Sequence, residues 1–127
     1  MTDGSEVPQL IENFEKAERE LDRLSKEISD AKKLQKFCAG TEKALLAKYA
    51  VAYIREGNKP ALAETLALAD PAYLKERETM MDAWVIAQKV LDAHAQAYTS
   101  WDTARSLLSM AKSQFPAAYS AARNFPG

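Results

Sequence analysis

The chain carries few of the side chains on which enzymes usually depend. It has one histidine, His94, and one cysteine, Cys38, among 127 residues. His94 belongs to an apolar helical stripe with Leu91 and Tyr98, so we expect an imidazole satisfied by a tyrosine or serine hydroxyl rather than a general base. Cys38 has no partner for an intrachain disulfide, and a lone thiol in a reducing compartment is expected to be buried and unreactive.

Sequence motifs for phosphate, metal or cofactor binding are also missing. The four glycines are isolated from one another and form no phosphate-binding loop. No glutamate stands three residues before the histidine, which disfavours a metal site of the kind found in helical bundles. The sequence therefore predicts a protein that is not an enzyme, with no catalytic residues, no metal and no cofactor.

Charge is distributed unevenly along the chain, although the net charge is only −1. Residues 1–31 contain four basic and nine acidic side chains, whereas residues 32–59 contain seven basic and two acidic ones. Aromatic residues are interleaved in this basic block, as in surfaces that bind phosphates and stack unpaired bases. The candidate nucleic-acid contacts in the block are Lys36, Lys43, Lys48, Tyr49, Tyr53, Arg55 and Lys59.

Two other interpretations of the basic block remain open at this point. The lysines also fit a solvated helix face, and they fit a surface that pairs with the acidic N-terminal segment of a neighbouring subunit. An isoelectric point near 5.9 does not by itself favour a nucleic-acid partner. Only the basic block over residues 32–59 supports the hypothesis of a nucleic-acid partner.

The elements that must position these residues are helical. Apolar residues from Leu10 to Ala31 recur in alternating steps of four and three, the heptad pattern of a coiled-coil-like helix. The pattern continues less regularly until Gly57 and Asn58, which are typical of a helix end. Gly40 interrupts the run, so the sequence fits either one helix over residues 8–55 or two collinear helices.

Two further helices follow. Pro60 suits the first turn of a short helix over residues 60–69, and Asp70-Pro71 supplies a capping carboxylate and a preset first turn for a longer one. No helix breaker follows until Pro116. We therefore predict an all-α protein with two long helices in an antiparallel coiled-coil-like arrangement, a short connecting helix, and an oligomeric bundle or ring. Residues 1–127 are expected to form one domain with flexible tails at 1–7 and 117–127, the second of which begins with one or two helical turns before it frays.

The second long helix has two neighbouring apolar stripes, one bulky and one composed mostly of small residues. Together they are wider than one partner helix covers, which predicts self-association. The small stripe includes Ala83, Ile86 and Val90. The bulky stripe is the predicted oligomer interface, formed by Met80, Trp84, Leu91, Tyr98, Trp101 and Leu108.

The stretch from Leu45 to Lys112 resembles the phage recombination mediator family typified by UvsY. A helix ends in Leu-Ala-Lys-Tyr-Ala-Val-Ala-Tyr (46–53), a loop contains Gly57, and a short segment leads into Leu-Ala-Leu-Ala-Asp (66–70). A long helix with Tyr73, Leu74 and a central Trp84 then follows. These features cover just over half of the chain, and the N-terminal helix agrees in its heptad character.

The resemblance implies a small helical protein that assembles into rings and binds single-stranded DNA without sequence preference. Its expected protein partners are a RecA-like recombinase, which it helps to load, and the single-strand-binding protein that coats the DNA. Family DNA contacts lie on the helix before the loop, which implies a role for Lys48 with Lys43 and Arg55. Ala50 departs from the family pattern, because a second basic residue is expected there.

A non-enzymatic helical adaptor that self-associates and binds a protein partner is the alternative hypothesis. Such a module would need the basic block only for solubility or subunit pairing. Asp3 and Glu6 argue against a signal peptide at the N-terminus, and no apolar stretch is long enough to span a bilayer. The expected location is therefore the cytoplasm of a bacterial or phage-infected cell.

Overall fold

The structure is a computed structural model, and it describes residues 4–123. Within this range the chain is helical and contains no β-strand. This confirms the all-α class, with two long helices joined by a short one. The helices are α1 (Val7–Arg55), α2 (Pro60–Ala69), α3 (Pro71–Gln114) and α4 (Pro116–Arg123).

The helices divide into two compact units, and the prediction of one domain over residues 1–127 stays a prediction. The hairpin unit spans Ser29–Leu91 and contains the second half of α1, all of α2 and the first half of α3. The terminal unit contains the described residues up to Ile28 and from Asp92 onwards. Each long helix contributes residues to both units. The boundary between the units therefore falls inside α1 and α3 and not at a linker.

The hairpin unit pairs α1 and α3 in antiparallel orientation. The Gln35 side chain donates to Gln88 Oε1 at 2.9 Å, and the Tyr49 ring lies 5.8 Å from the Tyr73 ring. The residue numbers of the contacting partners on α3 decrease as those on α1 increase, which confirms the predicted antiparallel arrangement. Apart from one tyrosine, its buried side chains are small: Ala31, Cys38, Ala63, Ala67, Tyr73 and Ala87.

The terminal unit uses the same antiparallel pairing. The Phe14 ring packs 6.3 Å from the Trp101 ring, and Ser25 Oγ lies 3.2 Å from His94 Nε2. His94 thus has the serine hydroxyl neighbour that its position on the apolar stripe predicted. The buried apolar side chains here are Val7, Leu24, Ala97 and Ala111.

Residues 116–123 form α4, at the start of the segment 117–127 for which the sequence predicts one or two helical turns before a flexible end. Pro116 occupies the first turn, where its missing N–H costs no hydrogen bond. The Tyr119 N–H donates to Phe115 O at 2.9 Å, and Lys112 Nζ lies 5.6 Å from the Tyr119 ring centroid. At the other end Val7 is completely buried rather than part of a tail. The remaining tail predictions, for residues 1–3 and 124–127, lie outside the described residues.

Gly40 does not interrupt α1, which answers the question left open by the sequence. The residue is exposed, and a Cβ placed on it would meet nothing within 4 Å. A glycine inside a helix lowers stability because its unfolded backbone is more flexible than that of alanine. Gly57, by contrast, ends the helix with φ of +102°, a conformation that side chains with a Cβ rarely adopt.

We expect Gly40→Ala to raise the free energy of unfolding by about 0.5–1 kcal/mol. Gly57→Ala is the matched control and should lower it, because the same methyl group there strains the backbone. Urea unfolding followed by circular dichroism measures both. A loss of stability in Gly40→Ala would show that α1 bends at that position.

Candidate nucleic-acid interface

Tyr53 and Asp70 join the end of α1 to the start of α3. The Tyr53 hydroxyl donates to Asp70 Oδ2 at 2.6 Å, and Asp70 Oδ1 accepts the Ala72 N–H at 2.8 Å. Asn58 Nδ2 donates to Tyr53 O at 2.9 Å and holds the intervening loop. Asp70 therefore caps α3 as predicted, and Tyr53 is committed to this junction.

The Asp70 carboxylate is stabilised in its charged form. The Tyr53 hydrogen bond, followed by the Ala72 backbone N–H, lowers the pKa of Asp70 below its ordinary value of 3.8. A lowered pKa in the folded state contributes stability above the ordinary pKa, and this contribution is lost as the pH falls through the folded value.

Acidification should therefore lower the Tm of the native chain more than that of Asp70→Asn. Asparagine keeps a carbonyl oxygen that can accept from the Ala72 N–H, and its NH2 group can donate to the Tyr53 hydroxyl oxygen, but it has no carboxyl group to titrate. Melting curves between about pH 5 and pH 2.5 compare the two proteins, with all other carboxyl groups in common. Parallel curves would show that the capping carboxylate has the same pKa in the folded and unfolded states.

Tyr49 is also committed to internal packing. Its half-buried ring meets the buried Tyr73 ring edge-on, with an interplanar angle of 70°. Lys48 Nζ lies 5.5 Å from the Tyr49 ring centroid and 3.9 Å from Glu76 Oε1. The Tyr49 ring and the Tyr53 hydroxyl thus each have a partner within the hairpin unit, and Lys48 has an acidic neighbour. The sequence showed aromatic rings among lysines but not which side of α1 each ring would occupy.

Three exposed lysines share the outward side of α1 in the hairpin unit. Lys36 precedes the buried Cys38 by two residues and is therefore about 160° around the helix from the packed side. Lys32 and Lys43 lie four residues before and seven residues after Lys36, so the same side of the helix carries them. We call this set, Lys32, Lys36 and Lys43, the lysine face.

The lysine face carries uncompensated charge. No member of it forms an ion pair within residues 4–123. The nearby acidic residue of α1, Glu42, instead accepts a hydrogen bond from Arg77 Nε at 3.2 Å. A short row of cations without local partners is the electrostatic footprint expected of a polyanion-binding surface.

Arg55 and Lys59 lie at the loop between α1 and α2. Arg55 is the last residue of α1, and Lys59 is the N-cap residue of α2. Both are exposed, and neither forms an ion pair within the described part of the chain. Of the seven predicted contacts, Lys36, Lys43, Arg55 and Lys59 are therefore exposed cations without an ion-pair partner in the described part of the chain, whereas Lys48 is exposed but lies beside Glu76. Lys32 was absent from that set, and its spacing from Lys36 is the signal that identifies it.

The bulky stripe of α3 faces α1 within each unit. Cys38 Sγ lies 3.6 Å from Met80 O, Gln35 Nε2 donates to Trp84 O at 3.3 Å, and the Trp101 ring packs against Phe14. Met80, Leu91, Trp101 and Leu108 are half-buried, while Trp84 and Tyr98 remain more exposed. Heptad patterns predict helix pairing but do not distinguish pairing within a chain from pairing between chains. The predicted role of the stripe as an oligomer interface stays a prediction.

Other kinds of site find no support in the described residues. No group of three or more His, Cys, Asp or Glu side chains within residues 4–123 is placed to hold a metal ion. None of the helices in that range combines the length and the apolar character needed to cross a membrane. Comparison with protein-family models, curated proteins and solved structures finds no match for the chain.

Proposed function

We propose that the chain is a single-stranded-DNA-binding accessory protein of the cytoplasm that helps to load a RecA-like recombinase. The lysine face, with Arg55 and Lys59 at the following loop, is the proposed DNA contact. The observation that carries the proposal is the placement of Lys32, Lys36 and Lys43 on one side of α1 without acidic partners. The resemblance of residues 45–112 to recombination mediators supplies the loading role.

The arrangement favours contacts to phosphates over contacts to bases. Lysines on a helix neutralise backbone charge and release counterions, so binding depends strongly on salt and little on sequence. Tyr49 and Tyr53 are half-buried and make contacts within the hairpin unit, so stacking by these rings is expected to contribute little. A few lysines make a weak site, and several copies of it on one strand would bind with avidity.

Fluorescence anisotropy of a labelled single-stranded oligonucleotide tests the proposal. We expect binding that weakens steeply between low and physiological salt. The resemblance to recombination mediators implies stronger binding to the single strand than to a duplex of equal length. A mixed-sequence strand and a homopolymer should bind with similar affinity. Absence of binding at low salt would overturn the proposal.

A helical adaptor that binds a protein partner is the second candidate function. Leu74, Met81 and Val85 are exposed on α3 at spacings of seven and four residues, the pattern with which a helix presents an apolar stripe. An adaptor of this kind needs no nucleic acid. The anisotropy titration separates the two functions, because the adaptor leaves the oligonucleotide free at every salt concentration.

A further inference from the structure

Two of the most exposed large apolar side chains of the hairpin unit lie on one side of it. The exposed fraction of Phe37 on α1 is 66% and that of Ile86 on α3 is 62%. Phe37 precedes the buried Cys38 by one residue, and Ile86 precedes the buried Ala87 by one. Each side chain is thus rotated by about 100° in the same sense from the packed side. In an antiparallel pair, the same sense of rotation leads to the same face.

Other apolar residues continue this face around Phe37 and Ile86. Leu34 precedes Phe37 by one turn and is also exposed, while half-buried Ala83 and Val90 flank Ile86 at the helical spacings of three and four. This is the small-residue stripe of α3, whose alanine permits close approach of another helix. We call Leu34, Phe37, Ala83, Ile86 and Val90 the docking face.

The amount of uncovered surface fits an interface between chains. The chain exposes 9093 Å². A folded monomer of 14.1 kDa exposes about 6,700 Å² by the usual scaling with mass. The excess is about 2,400 Å² per chain, or about 4,800 Å² for two chains, and obligate dimers bury roughly 2,000–5,000 Å² over both partners together. A small peripheral contact would leave most of this excess exposed.

The charges at the rim of the docking face are complementary to those of a second copy of the same face. Asp82 lies one turn before Ile86 and Lys89 lies one turn after it, both exposed on the outer edge of α3. Neither forms an ion pair within residues 4–123. If two copies of α3 cross antiparallel at Ile86, each Asp82 meets the Lys89 of the other copy. Such reciprocal contacts are the property that distinguishes an isologous interface.

We propose that a second copy of the chain docks on this face, through a two-fold contact centred on Ile86. The apolar residues supply the contact area, and the two reciprocal Asp82–Lys89 pairs set the antiparallel register. This assignment differs from the interface predicted from the bulky stripe, which lies on the side of α3 that faces α1 within each unit. It is independent of DNA binding, because the lysine face lies on other positions of α1.

Sedimentation velocity of Ile86→Glu and Val85→Glu tests the location of the contact. Val85 is the matched control: it is also β-branched and 43% exposed, and it points about 100° away on the same helix. We expect the native chain and Val85→Glu to sediment as dimers or larger assemblies at micromolar concentration. Ile86→Glu should dissociate at least tenfold more readily with unchanged helicity. A monomeric native chain, equal effects of the two substitutions, or a larger effect of Val85→Glu would overturn the proposal.

A charge exchange tests the register. Asp82→Lys and Lys89→Asp should each weaken self-association, because each places like charges opposite one another. Mixing the two variants should restore association as a heterodimer, in which both pairs are again attractive. Failure of the mixture to associate better than either variant alone would exclude the two-fold contact at Ile86. Oligonucleotide binding by Ile86→Glu is measured in a separate titration. A variant that loses the dimer should keep the DNA site of the single subunit, so the two proposals can fail independently.

Discussion

Reversing two charges of the lysine face, in the double variant Lys36→Glu with Lys43→Glu, should reduce the affinity for single-stranded DNA by roughly tenfold or more at low salt. Both side chains are exposed, and neither has an acidic partner within residues 4–123. The slope of log K against log salt is negative for a single strand, and each phosphate contact that is lost reduces its magnitude by about 0.7. The loss of two contacts should therefore reduce the magnitude of the slope by about 1.4. Helicity and assembly should not change, because both residues lie away from the packed side of α1.

The matched control for this variant changes the same number of charges elsewhere on the same helix. Lys16→Glu with Lys26→Glu reverses two exposed lysines of α1 in the terminal unit, within the acidic segment of the sequence. If general attraction between the protein and DNA dominated, both double variants would lose affinity equally. A selective loss in the Lys36 and Lys43 variant locates the contact. Equal binding by that variant and the native chain would exclude the lysine face.

Truncating Tyr73 should have the largest effect on folding. Its exposed fraction is 3%, and it is the one large side chain among the buried residues of the hairpin unit. Tyr73→Ala removes the ring that Tyr49 packs against, and the small neighbours have little volume with which to refill the space. We expect the free energy of unfolding to fall by about 3–5 kcal/mol, which is much of the total for a domain of this size.

Two controls accompany the Tyr73 variant in chemical unfolding experiments. Tyr73→Phe keeps the ring and should change stability little. Leu74→Ala truncates the next residue, which is exposed, and should cost much less than Tyr73→Ala. If Leu74→Ala cost as much as Tyr73→Ala, the hairpin unit would be stabilised by something other than the packing described for Tyr73.

Parts of the candidate site were predictable, because charge and helical periodicity are local properties. The accumulation of lysines over residues 32–59 is visible in the sequence, and helical spacing alone aligns Lys36 with Lys43. The roles of Tyr49 and Tyr53 were not predictable in this way. Each is an aromatic residue beside basic residues. Only the positions of Tyr73 on α3 and of Asp70 directly before α3 show that the two tyrosines make contacts within the hairpin unit.

The sequence by itself determined the helices and most of their ends. The heptad spacing from Leu10 to Ala31 specifies a long helix, and Asp70-Pro71 specifies where α3 begins, since capping and ring constraints act over a few neighbouring residues. Tertiary structure decided that α1 continues through Gly40 and that the bulky stripe faces α1 within each unit. It also left Phe37 and Ile86 exposed. The physical reason is that a periodic apolar pattern specifies a face, whereas the surface that covers the face comes from residues distant in the sequence.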